Sequence, residues 1–133
     1  MSASVIITQT FTKVNSIKFD WTASLEDGTL NEIYLTQTHM RNIIGAYANM
    51  AITIPKSPVP TNLYDIKILD ENDFDIFGGT LLNRSNTLIE QTIPQILTDV
   101  LGPRQIVSNT FRFKLTNNSV LGAKGSCQIY FVR

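Results

Sequence analysis

The chain has a single cysteine, Cys127, and a single histidine, His39, among 133 residues. That scarcity excludes an intrachain disulfide, a Cys-x-x-Cys redox pair, an iron–sulfur cluster and a cysteine-based zinc site. An excess of one charge is also lacking, since eleven basic side chains balance eleven acidic ones. A neutral chain offers no overall counterion-release drive towards nucleic acid, so no nucleic-acid partner is expected. No apolar run approaches the roughly eighteen residues of a membrane helix, which argues against a membrane partner. The start carries no basic n-region, and Val5-Ile6-Ile7 stops at Thr8, so it does not read as a signal peptide. The sequons at Asn83 and Asn117 accordingly read as accidental.

What is present leans towards β structure. Ile, Val and Thr make up 38 of the 133 residues, and their stiff branched side chains favour a pleated surface over a helix. Ser, Thr and Asn contribute 35 residues while charged residues reach only 17%, so the surface must be largely neutral and polar. At 14.9 kDa the folded chain should keep about 7,000 Å² accessible and bury about two-thirds of its extended surface, enough for one core. A single β domain over residues 1–133 is expected, with residues 1–13 as an extended N-terminal arm.

Along the chain, Ile17, Phe19, Trp21 and Ala23 alternate with polar residues and mark one buried face of a strand. Asp27-Gly28 reads as a tight hairpin turn, with residues 33–38 as the next strand. Residues 51–54 are β-like, and Pro55, Pro58 and Pro60 demand an exposed crossing. Residues 64–69 and 74–77 alternate around the turn Asp70-Glu71-Asn72-Asp73, which predicts a hairpin closed by a bend at Gly78-Gly79. Between residues 83 and 101 the apolar spacing fits a helical face that Pro94 interrupts, so a loop with one short helix is expected. Residues 106–115 and 127–132 read as the last two strands. Seven or eight short strands, with at most one short helix, predict an all-β sandwich, jelly-roll-like or immunoglobulin-like.

The chemistry-bearing motifs are weak. Asp70, Asp73 and Asp75 place oxygens at calcium-loop intervals, but the glycine and distal glutamate of an EF-hand loop are missing. A solvated turn whose side chains cap their own backbone is the preferred reading. Gly78-Gly79 lacks the Gly-Lys-Ser/Thr end of a phosphate loop. His39 has no Gly-x-Ser-x-Gly elbow to serve, and Cys127 has no basic neighbour to activate it. No catalytic residue and no cofactor is assigned, and the chain is expected not to be an enzyme. Trp21 and the tyrosines Tyr34, Tyr47, Tyr64 and Tyr130 read as core or rim rather than as sugar platforms.

Charge is unevenly spread along the chain. Residues 65–75 hold five acids and one base, whereas residues 100–133 hold five bases and no acid. The two regions either pair within the monomer or face different neighbours in an assembly, where complementary patches fix register.

Several stretches together resemble small virion proteins of tailed bacteriophages: Phe19-Asp20-Trp21-Thr22, a downstream Gly45, Pro60-Thr61-Asn62-Leu63-Tyr64-Asp65-Ile66, the acidic turn with Ile76-Phe77-Gly78-Gly79, Leu82-Asn83-Arg84-Ser85, and a terminal strand ending Tyr130-Phe131-Val132-Arg133. The resemblance implies a non-enzymatic structural protein, made in the host cytoplasm and placed on the capsid exterior. There, as a decoration or cement protein, it is expected to bind the major capsid protein or other virion proteins and to form a homo-oligomer. A neck, tail or fibre-attachment component, or a carbohydrate- or receptor-binding β module, are the alternatives. Val5, Ile6, Ile7, Arg84, Arg104 and Lys124 are the expected partner contacts, the N-terminal arm pairing with a neighbour's strand by β-augmentation.

Overall fold

The computed structural model describes residues 3–11 and 14–133, with Phe11 described by its backbone alone. The strands are β1 (Ser4–Phe11), β2 (Asn15–Thr22), β3 (Ile33–Tyr34), β4 (Tyr47–Lys56), β5 (Asp65–Leu69), β6 (Glu90–Thr92), β7 (Gln95–Leu97), β8 (Val100–Leu101), β9 (Arg104–Gln105), β10 (Arg112–Thr116) and β11 (Lys124–Val132), with one helix, α1 (Gln37–Arg41). The main sheet runs β1-β2-β11-β4-β6, with β9 also on β4, and all of its pairings are antiparallel. A small sheet, β3-β10-β5, lies over it, and β7 and β8 form a separate two-stranded hairpin.

The alternation in β2 is what builds the sandwich. Ile17, Phe19 and Trp21 are buried on the inner face, and in β11 the register sets Ile129, Cys127 and Gly125 beside them. Phe19 of the main sheet stacks on Phe113 of the small one with ring centroids 4.7 Å apart. Such a pair adds about 0.5–1.5 kcal/mol beyond its area burial. Trp21 meets Tyr64 at 5.7 Å, so aromatic contacts tie the two layers together. The chain is an all-β sandwich.

Several local expectations are corrected. Eleven strands lie among the described residues rather than seven or eight, because strands of two or three residues carry no alternation to read. The Asp27-Gly28 turn does not join neighbouring strands: β2 pairs with β1 and β11, and the turn takes the chain to β3 in the other sheet. The strand expected over residues 33–38 stops at Tyr34. Thr36 then caps α1, accepting from His39 N, while His39 Nδ1 accepts from Thr36 N, a reciprocal box that satisfies two amides. Residues 74–77 meet β5 through the Leu69–Asp75 bridge, the bond from Ile76 N to Ile68 O and that from Ile68 N to Asp75 Oδ1, and the full partner of β5 is β10. The stretch from 83 to 101 holds β6, β7 and β8 and no helix, and residues 106–111 precede β10 rather than belonging to it.

Of the expected arm, residues 4–11 form β1, joined to β2 by an eight-residue antiparallel register, and residues 1, 2, 12 and 13 lie outside the described residues. Removing β1 would uncover an edge of β2 as well as delete an arm. No helix among the described residues is long and apolar enough to cross a membrane.

Candidate functional site

β4 carries a bulge at Asn49, where the register passes from Tyr130 opposite Met50 to Phe131 opposite Ala48. A bulge bends a strand and interrupts its ladder. On the outer side of β4, β6 pairs with residues 51–53 and β9 with residues 47–48. Residues 93–103 leave the sheet between them and form the β7–β8 hairpin.

The base of this hairpin is held by groups the sequence marks for other roles. Asp75 is half-buried: its Oδ1 accepts from Phe77 N at 3.1 Å and its Oδ2 from Gly79 N at 3.0 Å, which fixes the Gly78-Gly79 bend. Burial raises the Asp75 carboxyl above its ordinary value, against the pull of these backbone donors. Gly78 has φ +62°, and a Cβ there would lie 2.3 Å from Gln95 O, so only glycine lets the hairpin backbone approach this closely. Gln95 N donates to Phe77 O at 3.0 Å, and Gly102 N to Pro94 O at 2.9 Å. Arg104 Nη2 donates to Gln95 O at 3.2 Å, while its guanidinium lies 4.8 Å from the Phe74 ring centroid.

Above this anchored base the hairpin is apolar and open. Leu97 is 69% exposed and Leu101 58%. Leu88, Ile89, Ile93 and Val107 are exposed along the same margin of the main sheet, so residues 88–107 contain seven of the eighteen exposed large hydrophobic residues among those described. Lone exposed apolar residues are ordinary, whereas a concentration of them is the common trace of an interaction surface. The sequence pattern does not announce it, because the spacing over residues 83–101 fits an interrupted helical face and reads as a loop with one short helix. The signal that was available is a two-residue turn, Thr98-Asp99, between apolar pairs, bracketed by Pro94 and Gly102-Pro103.

The other expected contacts are distributed as follows. Arg84 is largely buried, 3.7 Å from Glu90 and bonded to Leu82 O, so it serves the interior. Arg104 is the hairpin anchor just described. Lys124 is exposed and borders an open depression of about 270 Å³ with Lys18, Lys56 and Asp20; Asp20 takes Lys56 at 3.1 Å and Lys18 at 3.8 Å. In β1, Ile6 is exposed on the outer face, whereas Val5 and Ile7 face inwards and are half-buried against the core.

The calcium candidates do not converge. Asp70 Oδ1 caps Asn72 N and Phe74 N, Asp73 pairs with Arg112, and Asp75 caps the glycine bend. Among the described residues no group of three His, Cys, Asp or Glu side chains is placed to hold a metal ion. His39 is occupied in the α1 cap, and Cys127 is fully buried, its thiol pushed up to about 12 by burial. Ser108 donates to Glu71, holding that carboxyl below its ordinary value.

The acidic and basic regions partly pair within the chain. Arg112 joins Glu32 at 2.7 Å, Asp73, and Asp70 O at 3.1 Å, and Lys114 adds Glu32 at 3.5 Å. These contacts clamp the outer face of the small sheet. No protein-family model, curated protein or solved structure matches this chain.

Proposed function

We propose that this chain is a non-enzymatic structural protein of a phage virion that docks on the capsid exterior and reinforces contacts between major capsid subunits. The observation that carries the reading is the apolar margin formed by the β7–β8 hairpin and the residues flanking β6 and β9. Its exposed leucines stand on a base fixed by Asp75, Gly78 and Arg104. A rigidly rooted apolar element loses little entropy when it docks. A repeated lattice multiplies each weak contact into avidity. The likeness of several short motifs to small tailed-phage virion proteins gives the lattice its identity.

Co-sedimentation with purified capsids tests this. The wild-type chain should pellet with capsids and raise their melting temperature. The doubly substituted Leu97→Lys, Leu101→Lys protein should keep its fold and lose at least tenfold in capsid affinity, equivalent to about 1.4 kcal/mol. Equal binding by the two proteins would remove the hairpin from the docking surface. Binding to tails instead of heads would move the protein to the neck or tail.

A second reading has its own observation. An open depression of about 440 Å³ is lined by Thr61, Asn62, Leu63, Asn117, Asn118 and Ser119. Its uncharged amides and hydroxyls are of the kind that hydrogen-bond sugar hydroxyls. Glycan-array binding lost on Asn62→Ala, with no capsid binding, would favour a carbohydrate-binding module.

A further inference from the structure

A sheet edge exposes a row of unpaired N–H and C=O groups, and proteins guard such edges with short strands, prolines, charges or covering loops. Most edges in this molecule are guarded. On the far side of the main sheet β6 has three residues and β9 two, with Pro94 following the first and Pro103 preceding the second. In the small sheet β3 has two residues. The outer side of β5 is covered by the returning chain, through Ile66 N to Leu81 O, Ile76 N to Ile68 O and the Tyr64–Arg84 bridge.

The edge of β1 has none of these protections. It runs for eight residues, Ser-Val-Ile-Ile-Thr-Gln-Thr-Phe, without a charge, proline or glycine. Its backbone pairs with β2 on one side, and among the described residues it makes no backbone hydrogen bond to any other element. Its inward side chains are incompletely covered, since Val5 and Ile7 are only half-buried. Beside them a cleft of about 140 Å³, lined by Ala3, Val5, Leu30, Glu32 and Ile33 among others, opens between the two sheets.

We infer that this edge is a self-association site: β1 of a second copy pairs with it antiparallel about a two-fold axis, joining two main sheets into one. On the two-fold axis a strand meets its own residue, so a charge there would face like charge, and β1 carries none. One symmetric register sorts the side chains by type. With Ile6 opposite Ile6 of the second copy, Val5 faces the partner's Ile7 and Ser4 the partner's Thr8. Apolar then meets apolar and hydroxyl meets hydroxyl, the pairing that stabilises cross-strand neighbours. Centring the axis on Ile7 would instead oppose Val5 to Gln9 and Ile6 to Thr8. In the preferred register the partner's Ile7 arrives next to Val5, at the mouth of the cleft, and extends the apolar core across the axis. Among the described residues every other outer edge is two or three residues long or covered by the returning chain, so a head-to-tail filament has no second edge to use. The inference does not depend on which lattice, if any, the protein decorates.

Charge complementation tests both the site and the register. Light scattering should give the wild-type chain twice the 14.9 kDa chain mass. Ile6 is 65% exposed, so Ile6→Lys and Ile6→Glu should each keep the wild-type circular dichroism spectrum and run at the single-chain mass. Mixed in equal amounts, they should recover the doubled mass, because lysine then faces glutamate across the axis. A wild-type monomer at every concentration, substituted chains that keep the doubled mass, or a mixture that stays monomeric would each overturn the inference. If the wild-type chain is a monomer and Ile6→Lys abolishes capsid binding, the edge takes a foreign strand and not a second copy.

Discussion

At Gly125 the main sheet passes so close to Trp21 that a Cβ would sit 2.5 Å from the indole ring, and Trp21 is itself fully buried with no room to retreat. The glycine is required here by packing and not by its backbone angles. Gly125→Ala should destabilise the chain by about 1–3 kcal/mol, the usual cost of overpacking a tight core. Gly102→Ala is the control. Its new methyl would meet only the Ile96 side chain, nearest at its flexible end, Cδ1, at 3.2 Å. It should stay within about 1 kcal/mol of wild type, since alanine also narrows the unfolded ensemble. Urea denaturation of the two proteins measures the contrast, and equal costs would show that the Trp21 contact relaxes.

Among the elements, the β7–β8 hairpin depends most on residues remote in sequence. Two short strands alone are marginal in water, and the Gly78-Gly79 bend supplies the missing support through Asp75. Burial raises the Asp75 carboxyl, so the folded chain prefers its neutral form. A raised acid contributes stability that is complete below its unfolded value and lost as pH rises through its folded value. Asp75→Asn cannot ionise and lacks this dependence. Wild type should therefore gain on Asp75→Asn as pH falls through the carboxylate range, and denaturation midpoints of both proteins across that range are the measurement. A gap that widens in the opposite direction would mean that the backbone donors of Phe77 and Gly79 outweigh burial. The same element shows where the sequence could be read and where it could not. β2, β5, β10 and the second half of β11 were legible because burial there largely alternates, so period two survives in the sequence. The hairpin was not, because its leucines and valines stay exposed in the folded chain and obey no periodicity of burial. α1 is announced only by Thr36 and His39 at capping distance, a five-residue signal too short to outweigh its β-like neighbours. Arg84 and Arg104 look like surface cations in sequence, and only the fold reveals that one meets Glu90 and the other two hairpin carbonyls.

Across the whole molecule, neutrality resolves into two unlike faces. The outer face of the small sheet is internally matched, with Arg112 and Lys114 set against Glu32 and Asp73. On the outer face of the main sheet, Lys18, Lys56 and Lys124 surround the single carboxylate of Asp20, leaving a local excess of positive charge. Exposed ion pairs of this kind stabilise little, about 0–1 kcal/mol. Replacing Lys56 and Lys124 with glutamine should therefore change the denaturation midpoint only slightly. Such charges act instead on encounter, where they speed association with an acidic partner and are screened by salt. If the main sheet faces an acidic capsid surface, the Lys56→Gln, Lys124→Gln protein should associate several-fold more slowly at low salt, with dissociation nearly unchanged. The difference should vanish as ionic strength rises. Stopped-flow or biosensor kinetics at two salt concentrations separate these effects: an unchanged association rate would place the lysine face away from the partner, leaving the apolar margin to dock alone.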